Sequence, residues 1–203
     1  MKGAPEYQLV EVFESLQGEG RNSGRPCVFI RFAGCNLACH WCDTPLKARF
    51  SAKLDELVAE AKSFRARSVV LTGGEPAVQE GMPELVAALK REGFWIAVET
   101  NGTKSPDWFA FVDYVACSPK VEYAAIYDAP EALKAADEVR VVASAPDVVE
   151  LCRHVRGLIA ATDYYVSPCD RGGEIDFAAA KAALAELEGW SLSVQLHKLL
   201  GFR

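Results

Sequence analysis

Short apolar runs rich in β-branched residues recur along the chain, at 28–32, 68–71, 95–99, 114–118, 138–142, 164–167 and 191–195, with stretches of helical composition between them. Continuous apolar runs of this length suit strands buried on both faces, and strands separated by helices suit a parallel sheet with crossover connections. Three helices lie between them: one capped by Ser51 and running to about Arg65, with Asp55 and Glu56 in its first turns; one over 82–92 that stops at Gly93; and a third over 176–188. The units are too few for a closed eight-stranded barrel. The pattern therefore predicts an α/β fold, an incomplete (β/α) barrel with a mainly parallel sheet. No linker, low-complexity tract or repeat interrupts residues 1–203, which predicts a single domain.

In such folds chemistry gathers beyond the C-terminal ends of the strands, and here those positions are polar and glycine-rich. The first run leads into GCNLACHWCDT (34–44), the second into TGGEP (72–76), and the third into Glu99, Thr100, Asn101 and Gly102. Ser118, Pro119 and Lys120 follow the fourth, and Ser167, Pro168, Cys169 and Asp170 follow the sixth. Loops of this kind at successive strand ends form the rim of a ligand pocket.

Cys35, Cys39 and Cys42 supply three thiolates within eight residues. A [4Fe–4S] cluster normally takes four cysteines, so three leave one iron open to a ligand. A zinc site with His40 as fourth ligand competes, although the spacing matches no paired-cysteine zinc pattern. Cys169 is set aside as a fourth cluster ligand because it would close the open iron. Cys27, Cys117 and Cys152 sit in apolar segments and read as small core residues.

The net charge of −6 gives no electrostatic reason to bind nucleic acid or an anionic membrane directly. No apolar run has the length of a signal peptide core or approaches a membrane span, and an odd count of seven cysteines suits a reducing compartment. A cytoplasmic location is expected.

The cysteine spacing, with Trp41 before the last cysteine and Asn36 after the first, resembles the radical S-adenosylmethionine (SAM) enzymes, and TGGEP resembles their motif for the methionine portion of SAM. The resemblance implies that the SAM amine and carboxylate chelate the open iron, and that one electron from the cluster releases a 5′-deoxyadenosyl radical. ESLQGEG (14–20), then Gly24, Arg25 and Pro26, VFIRFAGCNL, CDT, TGGEP, ETNG, SPK and QLHK (195–198) run in the order found in the 7-carboxy-7-deazaguanine synthase family. The likeness spans nearly the whole chain, and LQGEG, CDT and QxHK together are its specific part.

That resemblance implies a lyase that converts 6-carboxy-5,6,7,8-tetrahydropterin to 7-carboxy-7-deazaguanine with loss of ammonia, on the route to deazapurines including the tRNA base queuosine. It implies Mg²⁺, an electron donor such as a flavodoxin, and a homodimer. On physical grounds Arg31 offers a planar fork for the substrate carboxylate. Gln17 and the 16–18 backbone suit the donors and carbonyl of the aminopyrimidinone edge, with Glu19 as a further acceptor.

By resemblance, Thr44 binds Mg²⁺, and SAM contacts come from Trp41 (packing the adenine), Cys42, Asp43, Gly74, Glu75, Gly102, Ser118, Pro119, Lys120, Ser167, Pro168, Cys169 and Asp170. Substrate contacts come from Leu16, Gln17, Gly18, Glu19, Arg31, Thr100 and the terminal carboxylate of Arg203. No catalytic side chain beyond the cofactor radical is implied. Ser167 stands where the family often has glutamine and is too short for the same reach, which shifts that role to backbone or Asp170. An activase that places a glycyl radical on a protein partner, or a zinc-binding interaction module, would leave LQGEG, Arg31 and QLHK unexplained.

Overall fold

The computed structural model describes residues 5–42 and 44–202. Its strands are β1 (Glu6–Leu16), β2 (Pro26–Phe32), β3 (Phe50–Lys53), β4 (Ser68–Gly73), β5 (Trp95–Thr100), β6 (Tyr114–Cys117), β7 (Glu138–Ala143), β8 (Asp163–Asp170), β9 (Ile175–Asp176) and β10 (Ser191–Leu192). The helices are α1 (Leu54–Ser63), α2 (Met82–Arg91), α3 (Val148–Leu158), α4 (Phe177–Ala185) and α5 (Leu196–Leu200). The sheet runs β10-β8-β7-β6-β5-β4-β2-β1-β3, with β9 paired to β8 off this path. Every neighbour from β2 through β10 in that order is parallel, whereas β1 pairs antiparallel with β2 and β3. The sheet is open, as an incomplete barrel requires.

Strand side chains alternate between faces, and the two faces bury different things. Ile30, Phe32, Val69, Leu71, Ile96, Val98, Val139, Val141 and Val166 face the helices, where they meet Leu57 of α1, Leu85 and Leu89 of α2, Leu151 and Val155 of α3, and Ala180 of α4. The opposite face carries a smaller apolar plug of Cys27, Val70, Ala97, Tyr114 and Ala116, flanked by Phe29 and Trp95. Two residues further along the same strands that face turns polar: Arg31 after Phe29, Thr72 after Val70, and Glu99 after Ala97. The plug thus closes the bottom of the half-barrel and the polar layer above it becomes a floor.

Three sequence expectations change. β1 is absent from the predicted strands because its residues alternate polar and apolar, as a half-exposed antiparallel strand does, and do not form an apolar run. Ser51 does not cap α1: it lies in β3, opposite Gln8, and its hydroxyl donates to Glu6 at 2.7 Å. The helix starts three residues later, where Glu56 accepts from the Lys53 amide at 2.8 Å. The last predicted strand shortens to Ser191–Leu192, because Gln195 starts α5. The helix expected over 176–188 is α4, which ends at Ala185 and is capped by Asp176, accepting from the Ala179 amide at 3.0 Å; α3 and α5 were not expected. Among the described residues no helix is long and apolar enough to cross a membrane.

Candidate active site

Over that floor, at the C-terminal strand ends, lies a cavity of about 300 Å³. It brings together Leu16, Gln17, Gly18, Glu19, Arg31, Cys35, Cys39, Trp41, Cys42, Thr44, Gly74, Glu75, Thr100, Ser118 and Lys120, all expected from the sequence to touch substrate, cofactor or metal. Gly102, Pro119, Ser167, Pro168 and Cys169 do not line it. Asp170 lines a second cavity on the other side of the cysteine loop, with His40, Trp41, Cys42 and Lys198, and is held there by Lys198 Nζ at 2.8 Å and the Gly173 amide at 2.6 Å. Ser167 is buried with an unpartnered hydroxyl and pairs in register with Val142, a wall residue of the main cavity. Asp43 and Arg203 lie outside the described residues.

The cysteine loop is held from behind by TGGEP. Gly74 N donates to Phe32 O at 2.8 Å and Glu75 N to Gly34 O at 2.9 Å. A Cβ on Gly74 would overlap the Gly34 carbonyl oxygen, so only glycine permits this backbone contact. The Cys35 sulfur accepts from the Leu37 amide at 3.4 Å and from Asn101 Nδ2 at 3.9 Å. Burial raises the thiol pKa of Cys35 and of Cys39, and Lys120 opposes the rise at both. Trp41 donates its indole N–H to Glu122 at 2.7 Å and lies 5.2 Å from the Lys120 ammonium.

The donor set fits an iron–sulfur cluster with one open corner: three thiols on the cavity wall, with no other cysteine lining it. Among the described residues no three His, Cys, Asp or Glu side chains converge closely enough to hold a single ion, whereas a cluster takes each thiolate at a different iron. Glu75, 1% exposed, accepts from Thr100 Oγ1 at 2.7 Å, the Asn101 amide at 2.7 Å and the Ala77 amide at 2.9 Å. Burial raises its pKa and these hydrogen bonds oppose the rise. Its carboxylate therefore braces the ends of β4 and β5 against each other.

Arg31 divides its guanidinium between Glu11, at 2.9 Å from Nε, and Thr44, whose hydroxyl accepts from Nη1 at 3.1 Å. The ion pair with Glu11 of β1 fixes the fork, and the contact with Thr44 turns it into the cavity. The residues expected for the carboxylate and for Mg²⁺ are thus neighbours.

The opposite wall holds Glu99, which the sequence reading put on the pocket rim without a contact, and Arg140, Gln195 and His197, to which it gave no role in the site. Gln17 donates from Nε2 to Glu99 at 2.8 Å, and its Oε1 accepts from the Gly18 amide at 2.8 Å. Gln195 donates to Glu19 at 2.8 Å, and the Leu196 amide donates to Gly18 O at 3.0 Å. A side chain on Gly18 would run into the His197 ring. LQGEG and QLHK, which flank the rest of the chain, are therefore two halves of one wall. The run EVRVV shows a charge inside an apolar strand, which is rarely buried without partners, but it does not show which partners.

Comparison with known proteins agrees with this geometry. The Radical SAM superfamily matches residues 29–117. The 7-carboxy-7-deazaguanine synthase of Neisseria meningitidis is 41% identical over 97% of this chain and 94% of its own length. The chain belongs to the 7-carboxy-7-deazaguanine synthase family. The synthase of Haemophilus influenzae is 38% identical over the same shares of the two chains. Among solved structures, QueE from Escherichia coli superposes with a TM-score of 0.75 at 24% identity, covering 95% of each chain, which is a likeness of fold. Membership of this radical SAM family implies a [4Fe–4S] cluster and SAM.

Proposed function

We propose that the cavity converts 6-carboxy-5,6,7,8-tetrahydropterin to 7-carboxy-7-deazaguanine and ammonia, on the route to deazapurines such as queuosine. The observation that carries this reading is the pairing of walls across one cavity: Arg31 beside Thr44 on one side, and Gln17, Glu19 and Glu99 on the other. A carboxylate-bearing pterin needs a cation at one end and acceptors for its N–H groups at the other, and the two walls supply them in that arrangement.

Cys35, Cys39 and Cys42 hold the cluster. Gly74, Ser118 and Lys120, which line the cavity, hold SAM, with Glu75 bracing the loop and Trp41 against the adenine; Gly102 and the 167–170 segment, expected from the resemblance, stand behind that wall. When bound, the cluster and SAM together supply a one-electron cleavage that starts hydrogen abstraction from the substrate. Thr44 would offer a hard oxygen ligand to Mg²⁺, the ligand type that this ion prefers. Arg31 orients that carboxylate, and Gln17, Glu19 and Thr100 fix the ring. The overall conversion loses ammonia and nothing else, so it is redox-neutral and SAM is used catalytically.

A low-potential carrier such as a flavodoxin delivers the electron, the protein works in the cytoplasm as a homodimer of single-domain chains, and it acts on no nucleic acid directly. The test is an anaerobic assay of the iron-loaded protein with SAM, a reductant and the carboxypterin, followed by chromatography for the carboxydeazaguanine. Appearance of the product with release of ammonia is expected; iron-loaded protein that leaves the carboxypterin unchanged overturns the reading.

A further inference from the structure

The acceptor wall of the cavity is organised around a single buried cation. Arg140 of β7 has a side chain 5% exposed, and its guanidinium meets Glu99 of β5 through Nη2, Glu138 at 3.0 Å through Nη1 and Glu19 at 3.7 Å through Nε. Three carboxylates around one guanidinium leave an excess of negative charge in a largely enclosed space, and such a group of charges is stable only if each member is fixed.

Glu138 is the fixed end. It is 1% exposed, accepts from Tyr114 OH at 2.8 Å and from the Arg21 amide at 2.9 Å, and approaches so close to Gly20 that a Cβ there would collide with its carboxylate. Gly20 has φ +64°, so glycine is required on both counts. Glu138 thus pins the 18–22 loop and draws one arm of Arg140 by charge; of the three contacts of the guanidinium only the one to Glu99 is also a hydrogen bond. The other two arms reach Glu99 and Glu19, and these two carboxylates line the cavity while Glu138 does not.

We propose that Arg140 is a positioning residue for the substrate: from β7 it holds Glu99 and Glu19 as an oriented pair of acceptors toward the N–H edge of the pterin, with Glu138 as its anchor. The inference rests on the proposed function. It assigns an acceptor role to a Glu99–Glu19 pair set by one guanidinium, where the sequence reading had Gln17, the 16–18 backbone, Glu19 and the terminal carboxylate, and gave Glu99 no part.

Protonation gives a readout that a merely structural role would not move. Burial pushes the Glu99 carboxyl up to about 7, Glu138 and Glu19 adding to the rise, while Arg140 and the Gln17 hydrogen bond oppose it. Burial alone would lower the Arg140 pKa, but the three carboxylates hold it above its ordinary value, so it stays charged across the working range. The charged and titratable groups around Glu99 are Glu19 from the β1 loop, Cys27 of β2, Tyr114 and Cys117 of β6, and Glu138 and Arg140 of β7, with Arg31 of β2, Lys120 and His197 of α5 on the same cavity. A protonated Glu99 loses one of its acceptor sites, so binding of the N–H edge weakens as pH falls through its pKa. Removing Arg140 moves that loss to higher pH and removing the charge of Glu138 moves it to lower pH.

The experiment compares iron-loaded wild type with Arg140→Gln, Arg140→Lys and Glu138→Gln, measuring KM and kcat for the carboxypterin, the pH profile of kcat/KM, and SAM binding by equilibrium dialysis. The acidic limb should move up by roughly one pH unit or more in Arg140→Gln and down in Glu138→Gln. Arg140→Lys should restore the limb but keep a KM raised about ten-fold, because it keeps the charge and loses the fork. SAM binding should stay unchanged throughout. If Arg140→Gln does not fold, Glu138→Gln and Arg140→Lys still decide. Variants that only lower the melting temperature, with wild-type KM and an unmoved acidic limb, overturn the inference. Wild type that makes no carboxydeazaguanine overturns instead the function on which it rests.

Discussion

Cys35, Cys39 and Cys42 share one loop but not one environment: Cys35 accepts two hydrogen bonds, from the Leu37 amide and Asn101 Nδ2, and Cys42 is exposed. Each is expected to be indispensable, so alanine at any of the three should abolish iron loading and its visible absorbance. Cys169→Ala should retain iron, since Cys169 is buried and lines neither cavity; loss of iron as complete as in Cys39→Ala would refute the open-iron arrangement. Arg31→Lys keeps the charge but cannot span Glu11, Thr44 and a carboxylate. It should weaken carboxypterin binding by about 1–3 kcal/mol while SAM binding is spared. At this scale the sequence was legible wherever a residue's chemistry is rare in a core or a loop: thiolates at tight spacing, Arg31 at a strand end, and Glu75 after two glycines. Glu99 and Arg140 were less legible because their meaning lies in each other. Strands β5 and β7 are separated by β6, and nothing local in ETNG or EVRVV announces an ion pair across it.

At the scale of elements, the contact between Gly74 and Gly34 joins the loop after β4 to the loop after β2. Gly74→Ala should force the two apart, destabilise the protein by more than about 2 kcal/mol, and lower iron occupancy along with SAM affinity. Iron content and SAM dialysis on the soluble variant check this, and an unaffected iron content would show that the loops move independently. The parallel strands and α2 were readable because buried runs and glycine stops are local signals. β1 was not readable by that rule, since Glu11 and Glu14 interrupt its apolar positions. Their purpose appears only in three dimensions: Glu11 steadies Arg31, and Glu14 accepts from the Ala66 amide at 2.7 Å. Ser51 misled for a related reason, a good cap residue having been drawn into β3 by pairing with β1.

The molecule as a whole carries the cost of its acceptor wall in its stability. Glu99 binds its proton more tightly when folded, with a pKa of about 7, than in the unfolded chain, where the ordinary value is 4.5. The stability it contributes is therefore present below that ordinary value and lost as pH rises through about 7. Glu99→Gln has no such group, so its stability relative to wild type should increase between those limits. Urea unfolding of both proteins at the two ends of the window measures this; a constant difference would mean that folding leaves the Glu99 pKa unshifted. The wall itself joins residues far apart in the chain: Gly20 donates to Ser193 at 2.9 Å, Gln195 to Glu19 at 2.8 Å, and Leu196 to Gly18 at 3.0 Å. Each of these links closes a loop that contains nearly all of the sheet, so it can form only after the sheet has assembled and gains little support from neighbours in sequence. In native-state hydrogen exchange the Leu196 amide should accordingly open far more often than amides of β5. The pocket would then assemble last in folding and loosen first, with the sheet still intact.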